Sequence, residues 1–236
     1  MQDNIYQTGK IIIADIGAAD YSLDKRWLGL KNDVSVILFE PDKRSHQDLK
    51  AQGVTIYPFA LYKEHQKKTL YLTKKPQCSS FYKPNMSFLI NFPDSERWNI
   101  VDEVELEVIP LDSLQLNIDF IKIDTQGSEL DILKGAEGTL ENVLGAEIEV
   151  SFSEIYTNQP LFGEVCAYMK FQGFEFYDFS TEYRYGRRKL DRMGQLSFAD
   201  ALFLRTPENL KRTNPAKTEK YNSIVKAYGK EDLIIF

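Results

Sequence analysis

Phe120-Ile121-Lys122-Ile123-Asp124-Thr125-Gln126-Gly127-Ser128-Glu129-Leu130-Asp131-Ile132-Leu133-Lys134-Gly135-Ala136-Glu137-Gly138 is the stretch whose reading decides the fold. An apolar run ends in the carboxylate of Asp124, a polar turn with a glycine follows, and a helical pattern begins with Leu130, Ile132, Leu133 and Ala136. That is a buried strand running into a helix. In open α/β sheets the crevice outside the carboxyl ends of the strands is where ligands bind, so Asp124 stands where chemistry is expected.

Similar runs recur along the chain. Strands are predicted at Lys10–Ile16, Val34–Glu40, Val54–Phe59, Phe120–Asp124, Gly145–Phe152, Phe174–Phe179 and Asp200–Arg205. Helices are predicted from Pro41 to about Gln52, where proline suits the first helical position, and over Leu161–Gln172. Alternation of continuous apolar strands with helices predicts a parallel sheet covered on both faces. Residues 68–109 break the rhythm: Thr69–Thr73 and Val104–Val108 alternate like edge strands, around the irregular, proline-containing segment 74–101. A loop of that length in a compact domain is functional or disordered. The reading is one domain over residues 1–206 with an insertion at about 68–109. An extension over 207–236 follows, a helix and then the apolar end Leu233–Phe236, which suits either its own domain or a second subunit.

Composition narrows the class. A net charge of −6 argues against a nucleic-acid partner, because phosphate-reading surfaces are basic. The two cysteines, Cys78 and Cys166, have no metal-like spacing and suit a reducing compartment. Without an apolar run of roughly 18–20 residues or a leader pattern, the expectation is a soluble cytoplasmic protein with no membrane span. His46 and His65 are the only histidines and lie in polar surroundings, which leaves little for a histidine-centred zinc site or a Ser-His-Asp triad.

The first strand ends Asp15-Ile16-Gly17-Ala18-Ala19, and the second Phe39-Glu40-Pro41-Asp42. Gly17 lets the backbone approach a ligand closely. Glu40 falls 23 residues later, where a ribose-binding carboxylate is expected. Plain structural alternatives stand beside these readings: Gly17 as a turn, Glu40 as a helix cap, Asp124 as the N-cap of the next helix. The dinucleotide pattern G-x-G-x-x-G is absent, since positions 17, 19 and 22 are Gly, Ala and Ser. A ligand without a pyrophosphate needs fewer glycines, which favours S-adenosylmethionine over NAD.

At these residues the chain resembles the FkbM-type methyltransferases, which depend on S-adenosylmethionine. The match is strongest over Asp119–Leu130 and Leu133–Ala136. Supporting matches lie at Asp15–Ala18, Phe39–Asp42, Ala60-Leu61, Cys78–Ser80, Leu111–Leu114, Glu147–Val150, Gln159–Phe162 and Asp200–Leu204. The first loop departs from the commoner family form, with Ala19 in place of Asn and Tyr21 in place of Gly. The resemblance implies a Rossmann-like sheet of seven strands, the last antiparallel. It places Gly17 and Ala18, beside Asp15, against the amino-acid part of the cofactor. Glu40 would take the ribose, with Pro41 and Asp42 towards the adenine, which Ala60 and Leu61 flank; Asp124 and Gln126 complete the site.

A hydroxyl acceptor on a sugar or glycan, as in polysaccharide biosynthesis, is the expected substrate. With histidine scarce, the base is sought among carboxylates: Asp124 first, then Glu129, Glu149 and Glu154. A carboxylate with an ordinary pKa is a poor base for a sugar hydroxyl unless burial raises it. On the substrate side, Arg184, Tyr185, Arg187 and Arg188 could meet an anionic acceptor or form a merely solvated basic loop. By resemblance Ser79, Ser80 and Tyr82 form the other wall, with Cys78 read as a small buried hydrophobe. No spacing compels a metal, although Asp124 with a second carboxylate could join a hard-cation site. The competing readings are a non-catalytic binding protein on a methyltransferase scaffold, which the altered first loop favours, and an NAD-linked oxidoreductase. Oligomeric state stays open, a homodimer included.

Overall fold

A run as continuously apolar as Ile11-Ile12-Ile13-Ala14 is stable only where both sheet faces are covered, and all six residues of strand β1, Ile11–Ile16, are buried. The computed structural model of the chain describes residues 10–19, 24–44, 46, 55–187, 194–210 and 215–236. The predicted helix after Pro41, Val54 and the stretch 188–192 fall wholly or largely outside the described residues.

After β1 come β2 (Val34–Phe39), β3 (Thr55–Tyr57), β4 (Ala60–Leu61), β5 (Gln66–Thr73), β6 (Ile100–Ile109), β7 (Phe120–Ile123), β8 (Gly145–Ser151), β9 (Phe174–Tyr185) and β10 (Gln195–Arg205). Seven of them form one sheet in the order β3-β2-β1-β7-β8-β10-β9. Pairing is parallel from β3 to β8, whereas β10 runs antiparallel to both neighbours. This is the expected seven-stranded, Rossmann-like sheet with its last strand reversed. Successive connections leave β1 in opposite directions, so a crevice opens between the ends of β1 and β7.

Two expectations change. Thr69–Thr73 and Val104–Val108 do not edge the main sheet: they belong to a second sheet, β4-β6-β5, in which β6 is the middle strand. Ala60 and Leu61 supply the third strand, a two-residue pairing too short to read from alternation. The β9–β10 hairpin is also longer than expected, with pairing reaching Tyr185 opposite Gln195. Residues 182–185, read as loop, are therefore strand, because ladder bonds to β10 satisfy a polar segment that has no apolar signature.

Both faces of the main sheet are covered. On one, Ile12, Ala14, Ile121 and Ile148 pack with Ile132 and Leu133 of the helix Glu129–Lys134 and with Val165 and Met169 of the helix Phe162–Phe171. On the other, Ile11, Ile13, Phe120 and Leu202 pack with Tyr221, Ile224 and Val225 of the tail helix Pro215–Ala227. The Lys220 ammonium lies 2.7 Å from Asp119 Oδ2, and the same oxygen accepts the Ile12 N–H at 2.8 Å. The tail thus packs on its own domain and Leu233 is buried there, whereas Phe236 is exposed. Ile224 is fully buried against the sheet, so Ile224→Ala should lower the unfolding free energy by about 2–5 kcal/mol in a urea titration. A loss below about 1 kcal/mol would mean that the tail contributes little to the core.

Candidate functional site

The loop after β1 and the end of β7 touch through their backbones. Gly17 has φ +88°, and a Cβ built on it would lie 1.8 Å from the Asp124 carbonyl oxygen, so no other residue fits. The Gly17 N–H donates to the Phe39 carbonyl at 3.0 Å, which ties the loop to the end of β2 as well. Three strand ends converge on a cleft of about 550 Å³.

At its centre the turn after β7 holds two consecutive residues with positive φ, Gln126 at +58° and Gly127 at +111°. The conformation is uncommon for glutamine and is held by a set of bonds. The Gln126 carbonyl accepts the Ser80 hydroxyl at 2.6 Å, and its Oε1 accepts the Tyr156 hydroxyl at 2.9 Å. Its Nε2 donates to both Asp124 Oδ1 (2.6 Å) and Glu149 Oε2 (2.8 Å). One amide therefore holds two carboxylates together. Burial, and then the negative charge of Asp124, push the Glu149 carboxyl well above the usual range. Asp200, opposite Glu149 in the β8–β10 register, is pushed up to about 7 by burial and by Glu147 and Asp124.

One layer deeper, Asp15, Lys122 and Glu147 stand in register across β1, β7 and β8. Burial works against the Lys122 charge, but Asp15 and Asp124 outweigh it and hold the amine above its ordinary value. Lys122 Nζ is 3.6 Å from Asp15 Oδ1, an oxygen that is buried without a hydrogen bond. Burial, reinforced by Asp124, raises the Asp15 carboxyl. Arg26 Nη1 donates to Glu147 at 2.8 Å and its Nη2 to Asp24 at 2.7 Å. Six carboxyls (Asp15, Asp24, Asp124, Glu147, Glu149 and Asp200) thus meet two cations, Lys122 and Arg26, at this end of the cleft among the described residues. The surplus favours a positively charged ligand.

Of the residues singled out in the sequence, Asp15, Gly17, Ala18, Glu40, Pro41, Asp42, Ala60, Leu61, Asp124 and Gln126 all line the cleft, as do Ser79, Ser80, Glu149 and Tyr185. Asp124 does not cap the following helix; Gln126 occupies its Oδ1. Glu40 Oε1 accepts the Asp42 N–H at 2.6 Å, a local cap, and burial pushes its carboxyl up to about 7. Asp42 pairs with Arg44, which reaches Ser79 Oγ at 3.0 Å and ties the insertion to this corner.

The remaining candidates lie elsewhere. Glu129 turns its carboxylate back onto its own turn, accepting the N–H groups of Thr125 (2.9 Å) and Gly127 (3.0 Å). Glu154 accepts the Asn158 N–H at 3.0 Å outside the cleft. Tyr82 donates its hydroxyl to Asp131 at 2.5 Å. Arg184 pairs with Glu182 on the exposed hairpin, and the Arg187 guanidinium lies 5.5 Å from the Phe92 ring. Arg188 is outside the described residues. Sequence reasoning missed Arg26, Lys122, Glu147, Tyr156 and Asp200. A signal existed for two of them, since Lys122 and Glu147 precede Asp124 and Glu149 by two residues and share their sheet face.

The Methyltransferase FkbM domain matches residues 15–176, more than half of the chain. No curated protein sequence matches it. Similar solved structures include the Sp1610 protein of Streptococcus pneumoniae (12% identity, 95% of this chain and 91% of that one, TM-score 0.41). Another is TrmK of M. capricolum in complex with S-adenosyl-homocysteine (12%, 96% and 93%, 0.37). A third is precorrin-6y C5,15-methyltransferase of Geobacter metallireducens (9%, 85% and 84%, 0.40). These likenesses are too distant to say anything about an acceptor.

Glu40 and Asp200, both near 7 in the fold, keep protons that an unfolded chain releases near pH 4. Between about pH 4 and 7 the folded state binds more protons, so their contribution to stability falls as pH rises through that window and levels off above it. The ligand-free protein should therefore melt higher at pH 5 than at pH 7.5 in scanning calorimetry, and Asp200→Asn should flatten the difference. A melting temperature that rises over this interval would refute the assignment.

Proposed function

The chain belongs to the FkbM methyltransferase domain family, a family of S-adenosylmethionine-dependent enzymes, and on that premise we propose that it methylates a hydroxyl of a sugar or glycan acceptor. Two observations favour S-adenosylmethionine in this cleft. Gly17 packs its backbone directly against the Asp124 carbonyl, which leaves the loop after β1 as bare main chain along the cleft. The buried Asp15 oxygen, which accepts no hydrogen bond, and the surplus of carboxyls suit a ligand bearing ammonium and sulfonium charges. In this reading Gly17 and Ala18 face the amino-acid part, and Glu40 takes the ribose through Oε2, which accepts no hydrogen bond among the described residues. Asp42, Ala60 and Leu61 flank the adenine. When bound, the cofactor supplies a methyl carbon already activated by its sulfonium.

The protein's own part is to position the acceptor and take its proton. The observation that carries O-methylation is the pair Asp124 and Glu149 on the Gln126 amide. Glu149 holds its proton more tightly than an ordinary carboxyl, because it is buried and faces the charge of Asp124. Positive charge beside the pair would draw that proton off to solvent, and the ionised carboxyl would then accept the proton of the acceptor hydroxyl. A carboxylate whose affinity for protons is raised by burial and a like charge is a better base than an ordinary one. The rings of Tyr185, Phe198 and Trp98 along the same cleft support a sugar acceptor, since aromatic faces pack on the apolar faces of sugars.

Titration with S-adenosylmethionine should give a saturable calorimetric signal, and absence of binding would instead favour a non-catalytic scaffold. At pH 7, binding should release protons, read as a dependence of the heat on buffer ionisation enthalpy. S-adenosylhomocysteine, which lacks the sulfonium charge, should release fewer. Asp124→Asn should lower methyl transfer from labelled cofactor to a sugar panel by about 10²–10⁴-fold. Turnover and cofactor affinity both surviving would make Asp124 structural.

A further inference from the structure

Among the described residues two arginines line the cleft. Arg26 is neutralised by Asp24 and Glu147. Arg97, from the insertion, forms no ion pair among the described residues; its guanidinium lies 3.8 Å from the centre of the Trp98 ring and 5.5 Å from that of Tyr185. Its Nε is buried without a hydrogen-bond partner, and so is the indole Nε1 of Trp98, a residue only 2% exposed. Buried donors are nearly always paired in folded proteins, and leaving them unpaired is costly. The hydroxyls of Tyr185 and Tyr156 stand beside the guanidinium and the indole, yet neither gives Arg97 Nε or Trp98 Nε1 a full hydrogen bond, so this cleft wall keeps donor capacity for an added acceptor.

Their position adds to the argument. Arg97 is fixed through its backbone: its N–H donates to the Asp94 carbonyl (3.2 Å), and its carbonyl accepts the N–H of Lys75, a second cation lining the cleft (3.0 Å). Tyr185 meets Trp98 edge-on at 5.7 Å and Phe198 at 5.7 Å, giving a continuous aromatic wall. Cys78 feels the charges of both Arg97 and Asp124, and Tyr185 those of both Arg97 and Glu149. The cleft is therefore polarised, with an acidic end and a basic, aromatic end. An anionic acceptor is repelled by the acid pair unless its charge is held away from it, and a guanidinium stacked on an indole offers donors in a fixed plane for an oxyanion.

We propose that Arg97 and the Trp98 N–H hold an oxyanion, phosphoryl or carboxylate, on the acceptor, so that the hydroxyl methylated belongs to an anionic sugar. This rests on the sugar-acceptor reading above, and it moves acceptor recognition from the β9–β10 hairpin to the insertion.

The test is calorimetric titration of the S-adenosylhomocysteine-loaded protein with glucose, glucose 6-phosphate, glucuronate and inorganic phosphate. At least one anionic sugar should bind about ten-fold or more tightly than glucose, and which one does so identifies the oxyanion. Arg97→Gln should remove that margin while leaving S-adenosylhomocysteine affinity unchanged. Arg97→Lys, which keeps the charge but loses the planar fork, should retain part of it. No preference for the anionic sugars, or a preference that survives Arg97→Gln, overturns the proposal. Inorganic phosphate binding as tightly as either sugar, and lost in Arg97→Gln, overturns the sugar while keeping the anion site. Failure of S-adenosylhomocysteine to bind at all contradicts the donor site instead.

Discussion

The backbone contact between Gly17 and Asp124 is the constraint on which the site depends. Asp124 donates its N–H to the Ile16 carbonyl at 2.9 Å, so the bonding between β1 and β7 runs one residue past the end of β7. The chain then has to turn away on both sides at once, and only a residue without a Cβ, at positive φ, leaves room for the Asp124 carbonyl. That closeness puts Asp15, Asp124 and Glu40 around one cleft and leaves a polar layer buried beneath it.

Burying so many carboxyls has a thermodynamic consequence. Folding raises the proton affinity of Asp15, Glu40, Glu149 and Asp200, chiefly through loss of water and partly through their neighbours' charge. The arrangement holds because Lys122, Arg26 and the Gln126 amide are interleaved with the acids. Gln126 is the pivot: its left-handed backbone is secured by Ser80 and Tyr156, so the insertion and the loop after β8 both hold the turn on which the acid pair rests. Repulsion among unneutralised acids is relieved when a cation enters, and cofactor charge and proton inventory become linked quantities.

Much of this was legible along the chain. The apolar runs ending in Asp15, Glu40 and Asp124 announced the strand ends, and the glycine after the first announced the close approach. Glu129 was misplaced because its carboxylate caps its own turn through Thr125 and Gly127, a choice that spacing alone does not reveal. Arg184 and Arg187 read as a substrate loop because a polar strand has no hydrophobic period. Pairing with β10 carries Arg184 along the exposed hairpin instead, and Arg187 lies beyond β9, near the Phe92 ring. Arg97 and Trp98 had no signal, since they sit in an irregular segment between β5 and β6.

The sequence by itself determined the sheet, its covered faces and the row of acidic strand ends, because burial on two faces and strand-to-helix turns impose patterns local to each segment. Only the tertiary structure decided which side chains meet. Gln126 reaches Glu149 and Tyr156, Arg26 reaches Glu147, and Arg97 faces the cleft with no acidic partner among the described residues, across separations that no local pattern encodes. Such contacts depend on strand order, register and the path of the insertion, which arise when the distant segments pack into one core.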